Sequence, residues 1–394
     1  PPPEGGPLLP GMNRDQQGHG THVAGIIAAA RNGEEMHGVA FNSLIVPVHV
    51  NVLGTDAGTS EGWPFLIAQG VSIINASYAI KCFGPGAGTG CDAEQITRAG
   101  LQQYYPLTIQ RSIDLAAAQV LMVVAAGNDS KTSPDILAAL PAVVPEVKDN
   151  WLAVVAVDSR NVIASFSDRC GIAKEWCLAA PGDDIYSTWR VDAAHPTGYK
   201  IEGGTSMAAP TVSGVAALVK EAFPWFTARD LQQTLLTTAT DLGVDLIFGW
   251  CLVNAGKAVR GYGMFTSVVT LDTKGYVSTF SNDISGIGGL VKTGEGTLIL
   301  TGANTYSGGA SVTGGMLVLG SSMAAGTGTV TIGDGAALGF GDGVDVANAL
   351  IVAGNVDFNV DSGLAVASGV LSGAGTLSFT GGGLLRLTGD ASGF

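Results

Sequence analysis

Two short segments carry side chains able to do covalent chemistry: HGTHVAG, from His19 to Gly25, and GTSMAAP, from Gly204 to Pro210. The first offers an imidazole and the second a hydroxyl, each just before an apolar run with helical spacing, VAGIIAA and MAAPTVSGVAALVKEAF. A serine hydroxyl is a poor nucleophile at neutral pH. It needs an imidazole to take its proton and N–H donors to hold the oxyanion that forms. At a helix mouth Ser206 would have backbone N–H groups and the positive end of the dipole beside it. Gly203 and Gly204 let another chain approach closely. Pro210 would stand in or just beyond the first turn, where a missing N–H costs least. His22 shares the helix face of His19, but no nearby carboxylate or cysteine completes a zinc set. His37, His49 and His195 have no local sequence partners and read as ordinary core or surface histidines.

These residues need a scaffold, and the first part of the chain alternates strand-like and helix-like runs. Strands are expected at Ser43–Leu53, Val71–Ser77, Val120–Ala125 and Trp151–Val157. Helices are expected at Glu61–Gly70, Thr108–Gln119, Ser206–Phe223 and Thr227–Ala239. Near-continuous apolar strands alternating with helices imply an α/β parallel sheet covered on both faces.

The composition then changes. All 16 prolines lie at or before Pro224, and all 5 cysteines at or before Cys251. Beyond Gly263 the only basic residues are Lys274, Lys292 and Arg386. Short apolar runs broken by glycine, such as LILTG, MLVLG, VTIGDG and LSFTG, recur roughly every fifteen to twenty residues, as in a solenoid. The segment GEGTLILTG, ending at Gly302, is echoed by GGGLLRLTG, ending at Gly389. This spacing suits a right-handed parallel β-helix, and the missing prolines fit, because proline cannot donate to a ladder paired on both sides. The expected division is 1–262 for the α/β domain, 263–285 for a linker and 286–394 for the β-helix.

The bulk properties exclude several function classes. A net charge of −14 argues against nucleic acid and anionic membrane surfaces. No run of about 18 apolar residues is present to span a bilayer as a helix. The opening PPPEGGPLLPG lacks the basic and apolar regions of a signal peptide, so an exported chain of this kind is expected to have more sequence upstream. Cys82 with Cys91, and Cys170 with Cys177, could each close a short loop. The alternative, zinc, lacks the usual spacings, so disulfides and an oxidising compartment are expected. Cys251, in WCLVNA, reads as a buried free thiol. The glycine-rich GPGAGTG between Cys82 and Cys91 lacks the Lys-Ser/Thr ending of a phosphate loop.

The two opening segments resemble the histidine and serine motifs of the subtilisin-like serine proteases. Other segments agree, in the same order: INASYA at Ile74–Ala79, AAGN at Ala125–Asn128, ASFSDRCG and LAAPGDDIYST. The resemblance covers about His19 to Val259. It implies His19 as general base and then acid, Ser206 as nucleophile, and Asn128 with the Ser206 N–H as oxyanion donors. Ser77, Tyr78, Ala79, Ala125, Ala126 and Gly127 would flank a polypeptide substrate bound as an added strand. The family's aspartate belongs at the end of an apolar strand before the histidine. Asp15 sits in a polar loop and is not assigned that role, so the aspartate is expected in sequence upstream of residue 1. No cofactor is expected, and a structural calcium ion, common in the family, cannot be placed on any acidic loop. Residues Gly289–Gly320 resemble the passenger repeats of bacterial autotransporters. That implies a surface-displayed or secreted location and a C-terminal outer-membrane barrel in the same full-length chain. The rival function is an inert surface adhesin with a degenerate protease domain. A lipase would want Gly-x-Ser-x-Gly, which Gly204–Ala208 does not supply.

Overall fold

A computed structural model describes residues 15, 17–48, 50, 56–80 and 93–394. The chain divides into two compact units, Pro1–Ala217 with Thr240–Val253, and Leu218–Ala239 with Asn254–Phe394.

The first unit is built on a parallel sheet of β1 (Ile73–Ala76), β2 (Leu121–Ala125), β3 (Trp151–Val157) and β4 (Cys177–Pro181), in that spatial order. Every residue of β2 and β3 is buried, which is why both read as unbroken apolar runs rather than alternating ones. Helices α1 (His19–Ala28), α2 (Trp63–Ala68), α3 (Pro106–Ala117) and the start of α4 (Thr205–Ala222) belong to this unit. On one face Trp63, Leu66, Ile109 and Leu115 join Met122, Val124, Trp151 and Val155 in a single core. Each such side chain contributes about 1.5–3 kcal/mol by leaving water. Trp151 also donates its indole N–H to the Leu137 carbonyl at 2.9 Å, so its one polar atom is satisfied inside.

Sequence periodicity located β1, β2, β3 and the longer helices, and missed β4, the helix Arg98–Tyr104 and the antiparallel hairpin of β5 (Ile185–Thr188) with β6 (Tyr199–Glu202). The run Ser43–Leu53, expected as a buried strand, forms no strand over its described residues. Leu44 is 90% exposed and Ile45 42%. Strands exist by pairing, and among the described residues β1 pairs only with β2. Pro47 further interrupts the run by lacking an N–H.

The second unit is a stack of parallel coils, as expected. One six-stranded sheet runs from Val269–Asp272 to Leu371–Gly373, a second from Val277–Phe280 to Thr376–Thr380, and a three-stranded sheet ends with Leu384–Leu387. Leu290, Ala310, Val330 and Leu350 lie in register up one sheet, and Leu298, Leu317 and Leu338 up another. All of these point inward and are buried. Lys292 brings a charge into this interior. Its ammonium is buried and donates to the carbonyls of Thr293 at 2.7 Å, Gly294, Glu295 and Gly314. The echo of GEGTLILTG in GGGLLRLTG does not mark equivalent positions: Thr297–Leu300 lies in a different sheet from Leu384–Leu387. All faces of such a solenoid share the same alternation and glycine turns, so the pattern carries coil spacing but not face.

Residues 263–285, expected as a linker, hold Val269–Asp272 and Val277–Phe280, which are hydrogen-bonded into the coils. The chain before them joins the same unit through α5 (Ala228–Thr237) and an aromatic cluster. Phe223, Trp225, Phe226 and Tyr262 surround Phe280, with Phe223 to Phe280 ring centroids 5.3 Å apart. Trp225 donates to Ser278 Oγ and Tyr262 to Asp230 Oδ1, both at 2.7 Å. Asp230 Oδ2 completes a capping box with Thr227 at the start of α5. Phe280 is fully buried in this cluster. Phe280→Ala is expected to destabilise this unit by about 3–5 kcal/mol, seen as an earlier urea transition by tryptophan fluorescence.

Candidate active site

The site sits where β1, β2 and α4 end or begin, at the carboxyl ends of parallel strands, the usual place for ligands in open α/β sheets. Ser206 is the second residue of α4 and is half-buried. An α-helix would normally join its carbonyl to the N–H four residues on. That residue is Pro210, inside the helix and without an N–H. The freed Ser206 carbonyl accepts the Ser77 hydroxyl at 2.9 Å. Asn75 in turn donates to Ser77 Oγ, and Ser213 donates to Asn75 Oδ1, both at 2.9 Å. A chain of hydrogen bonds thus ties the end of β1 to α4 on either side of Pro210. The Ser206 hydroxyl points back to the Ser77 carbonyl at 3.5 Å.

Asn128 is exposed just past β2. Its side-chain carbonyl accepts the Thr205 N–H at 2.9 Å and the Thr205 hydroxyl at 3.0 Å. Thr205 Oγ1 also accepts the Gly127 N–H at 3.1 Å. With Oδ1 engaged, the amide NH2 is the end left to face a ligand beside Ser206. Thr205 carries no signal in the sequence beyond a hydroxyl adjacent to Ser206 in the GTSMAAP segment. Ala125, Ala126 and Gly127 are buried at the end of β2, and Ala79 is exposed after β1. Tyr78, expected to flank substrate, is turned inward. Its hydroxyl donates to the Thr59 carbonyl and accepts the Trp63 indole N–H, each at 3.0 Å, and burial pushes its pKa up.

His19 opens α1. Gly18 before it has φ +89, and a Cβ there would fall 2.3 Å from the Trp189 ring, so only glycine fits. Asp15 caps this helix: Oδ1 accepts the N–H groups of Gln17 and Gly18, and Oδ2 accepts the N–H and hydroxyl of Thr21. Burial pushes the Asp15 carboxyl up, but those bonds outweigh it and hold it below the usual range. Among the described residues no carboxylate is hydrogen-bonded to His19, and no bond joins His19 to Ser206. Burial lowers the His19 pKa, with the charges of Asp15 and Glu202 pulling partly back. The β5–β6 hairpin fixes α1: Ser187 donates to the His22 carbonyl at 2.8 Å and Thr188 to that of Thr21 at 2.9 Å. His22 is fully buried, its Nε2 3.1 Å from the carbonyls of Ile185 and Lys200, which makes it a staple rather than a ligand. His195, read as partnerless, bonds Asp192 at 3.0 Å and packs on Trp189.

Cys170 and Cys177 form a disulfide with Cα atoms 5.8 Å apart, and Cys251 is free and buried. Cys82, Cys91 and His49 lie outside the described residues.

Residues 9–251 match the family model described as the Subtilase family, and residues 290–319 match the Passenger-associated-transport-repeat. An extracellular serine protease of Serratia marcescens is 33% identical over 376 residues, covering 74% of this chain and 36% of that protein. The Neisserial autotransporter lipoprotein NalP of Neisseria meningitidis is 30% identical over 325 residues, covering 70% of this chain and 29% of that protein. Subtilisin DY of Bacillus licheniformis is 32% identical over 252 residues, covering 63% of this chain and 80% of that protein. The chain therefore spans about a third of the length of the first two relatives.

The His19 environment has a testable consequence. A histidine whose folded pKa is depressed binds protons more tightly when unfolded. Its contribution to stability is present above the ordinary value of about 6.5 and is lost as pH falls toward the folded pKa. Titration by NMR is expected to place the His19 midpoint below that of the same residue in the urea-unfolded chain.

Proposed function

The chain belongs to the subtilase family, and from that premise we propose that it is the peptidase-bearing passenger of an autotransporter, an endopeptidase cutting through an acyl-enzyme at Ser206. The observation that carries the proposal is the grip of Thr205 on Asn128, which leaves the amide N–H of Asn128 and the backbone N–H of Ser206 for an oxyanion. In the proposed reaction Ser206 Oγ attacks the scissile carbonyl as His19 takes its proton. His19 then returns that proton to the leaving amine, and water repeats the sequence on the acyl-enzyme. Substrate would lie extended between Ser77–Ala79 and Ala125–Gly127, as an added strand. Named relatives are an extracellular protease and an autotransporter lipoprotein. By analogy the proposal includes export to the cell surface or medium and a translocating barrel in the full-length protein.

A second reading, an inert surface passenger, is favoured by one feature. The Ser206 hydroxyl is turned to the Ser77 carbonyl, 3.5 Å away. A fluorophosphonate probe separates the two. Under the first reading the full-length passenger labels at Ser206 and Ser206→Ala does not. An unlabelled wild-type passenger supports the inert reading. For the active protein, Asn128→Ala is expected to lower kcat by about 10²–10³-fold with little change in KM, a scale known from a subtilisin relative. Thr205→Val is expected to lower kcat in the same direction by less, since it loosens the amide without removing it.

A further inference from the structure

Pro210 does more than withhold an N–H. Its ring crowds the carbonyl four residues back, so the Ser206 carbonyl is pressed away from the helix axis as well as left without a helix partner. The peptide between Ser206 and Met207 is then held at both ends. Its carbonyl accepts the Ser77 hydroxyl at 2.9 Å, and its N–H donates to the Gly204 carbonyl at 2.9 Å. Two bonds on one rigid plane fix the backbone at Ser206, and with it the direction in which the Ser206 side chain leaves α4. The Ser77 hydroxyl has a single proton, and its neighbours decide where that proton goes. Asn75 Nδ2 donates to Ser77 Oγ at 2.9 Å, which leaves the hydroxyl proton for the Ser206 carbonyl. Ser213, 3% exposed, places its hydroxyl 2.9 Å from Asn75 Oδ1, with the Ala209 carbonyl of its own helix as a second acceptor at 3.1 Å. That contact turns the Asn75 carbonyl to α4 and its NH2 to Ser77. Donors therefore run one way, from Ser213 to Asn75 to Ser77 to Ser206.

We propose that Ser77 and Asn75 are positioning residues for Ser206: their side chains hold the carbonyl that Pro210 frees, and so aim the Ser206 hydroxyl. This role rests on the reading of Ser206 as the nucleophile. It gives the Ser77 side chain a task separate from that of its main chain, which is proposed to flank substrate. It also makes Ser77 and Pro210 a coupled pair, since the one hydroxyl is needed only because the other residue has no N–H. A hydroxyl with a merely structural role has only to give the carbonyl some partner. A positioning hydroxyl has to hold it toward β1, because a reacting group displaced by about 1 Å can lose about a hundredfold in rate. Asn75 acts one step further back. With an acceptor in place of its NH2, the Ser77 proton would turn to residue 75 and abandon Ser206, although nothing in the site changes size.

The test follows the rate of fluorophosphonate labelling of the full-length passenger, with Tm and circular dichroism recorded for each variant. Ser77→Ala is expected to lower the maximal labelling rate by about ten- to a hundredfold, with the half-saturating probe concentration within about twofold of wild type. The isosteric Asn75→Asp is expected to lower the rate in the same way, and serves if Ser77→Ala does not fold. Pro210→Ala supplies the missing helix N–H, so the Tm it adds is expected to be larger in the Ser77→Ala background than in wild type. The labelling rate of that double variant is expected to stay low, because its carbonyl is drawn along the helix instead of toward β1. Ser77→Ala and Asn75→Asp labelling at the wild-type rate would overturn the positioning role alone, as would a rate that returns together with Tm in the double variant. A wild-type passenger that does not label overturns the peptidase reading and this role with it.

Discussion

The first turn of α4 depends on a hydrogen bond that the helix cannot make. Pro210 has no N–H to offer the Ser206 carbonyl, and that carbonyl is taken by Ser77 from the end of β1. One residue earlier Thr205 turns the other way, with its N–H and hydroxyl on Asn128 and the Gly127 N–H on its oxygen. Two consecutive residues of a helix mouth thus hold the ends of two neighbouring parallel strands. The fully buried β2 and β3 beneath supply the rigidity.

Two devices hold α1 and His19. The Asp15 carboxylate caps the helix from within its own turn, and the β5–β6 hairpin reaches in from far along the chain through Ser187, Thr188 and the backbone around His22. A carboxylate near a histidine proposed as general base invites assignment as its partner. Here both oxygens are saturated by N–H and O–H donors of residues 17–21. Proximity in sequence therefore marks a cap, not a triad.

The second unit solves a different problem. A parallel solenoid leaves its first coil with an uncovered face, and apolar surface there must be buried or it invites association. The Phe223–Phe226 segment, α5 and Tyr262 cover Phe280 with stacked and edge-on rings, and the two polar ring atoms find Ser278 and Asp230. This is why residues 218–239 group with the coils although their helical pattern continues that of the α/β unit.

Much of the architecture was legible in the residues. Unbroken apolar strands, helical runs and the shift to glycine-punctuated repeats are local patterns, and periodicity reports local patterns well. The HGTHVAG and GTSMAAP segments likewise carried the family. Other features depend on residues far apart in the chain. Ser43–Leu53 has the composition of a strand, yet its described residues form none, and pairing cannot be read from one segment. The spacing from Ser206 to Pro210 was in plain view, yet only the fold brings Ser77 to the carbonyl it frees. Asp135 and Asp168 are unremarkable loop residues in one dimension and converge on Gly127 only because two turns after parallel strands meet. The sequence by itself determined the elements and the chemical types of the site residues. The tertiary structure alone decided which side chains are clasped, capped or left without a partner, because hydrogen-bond satisfaction is a property of neighbours in space.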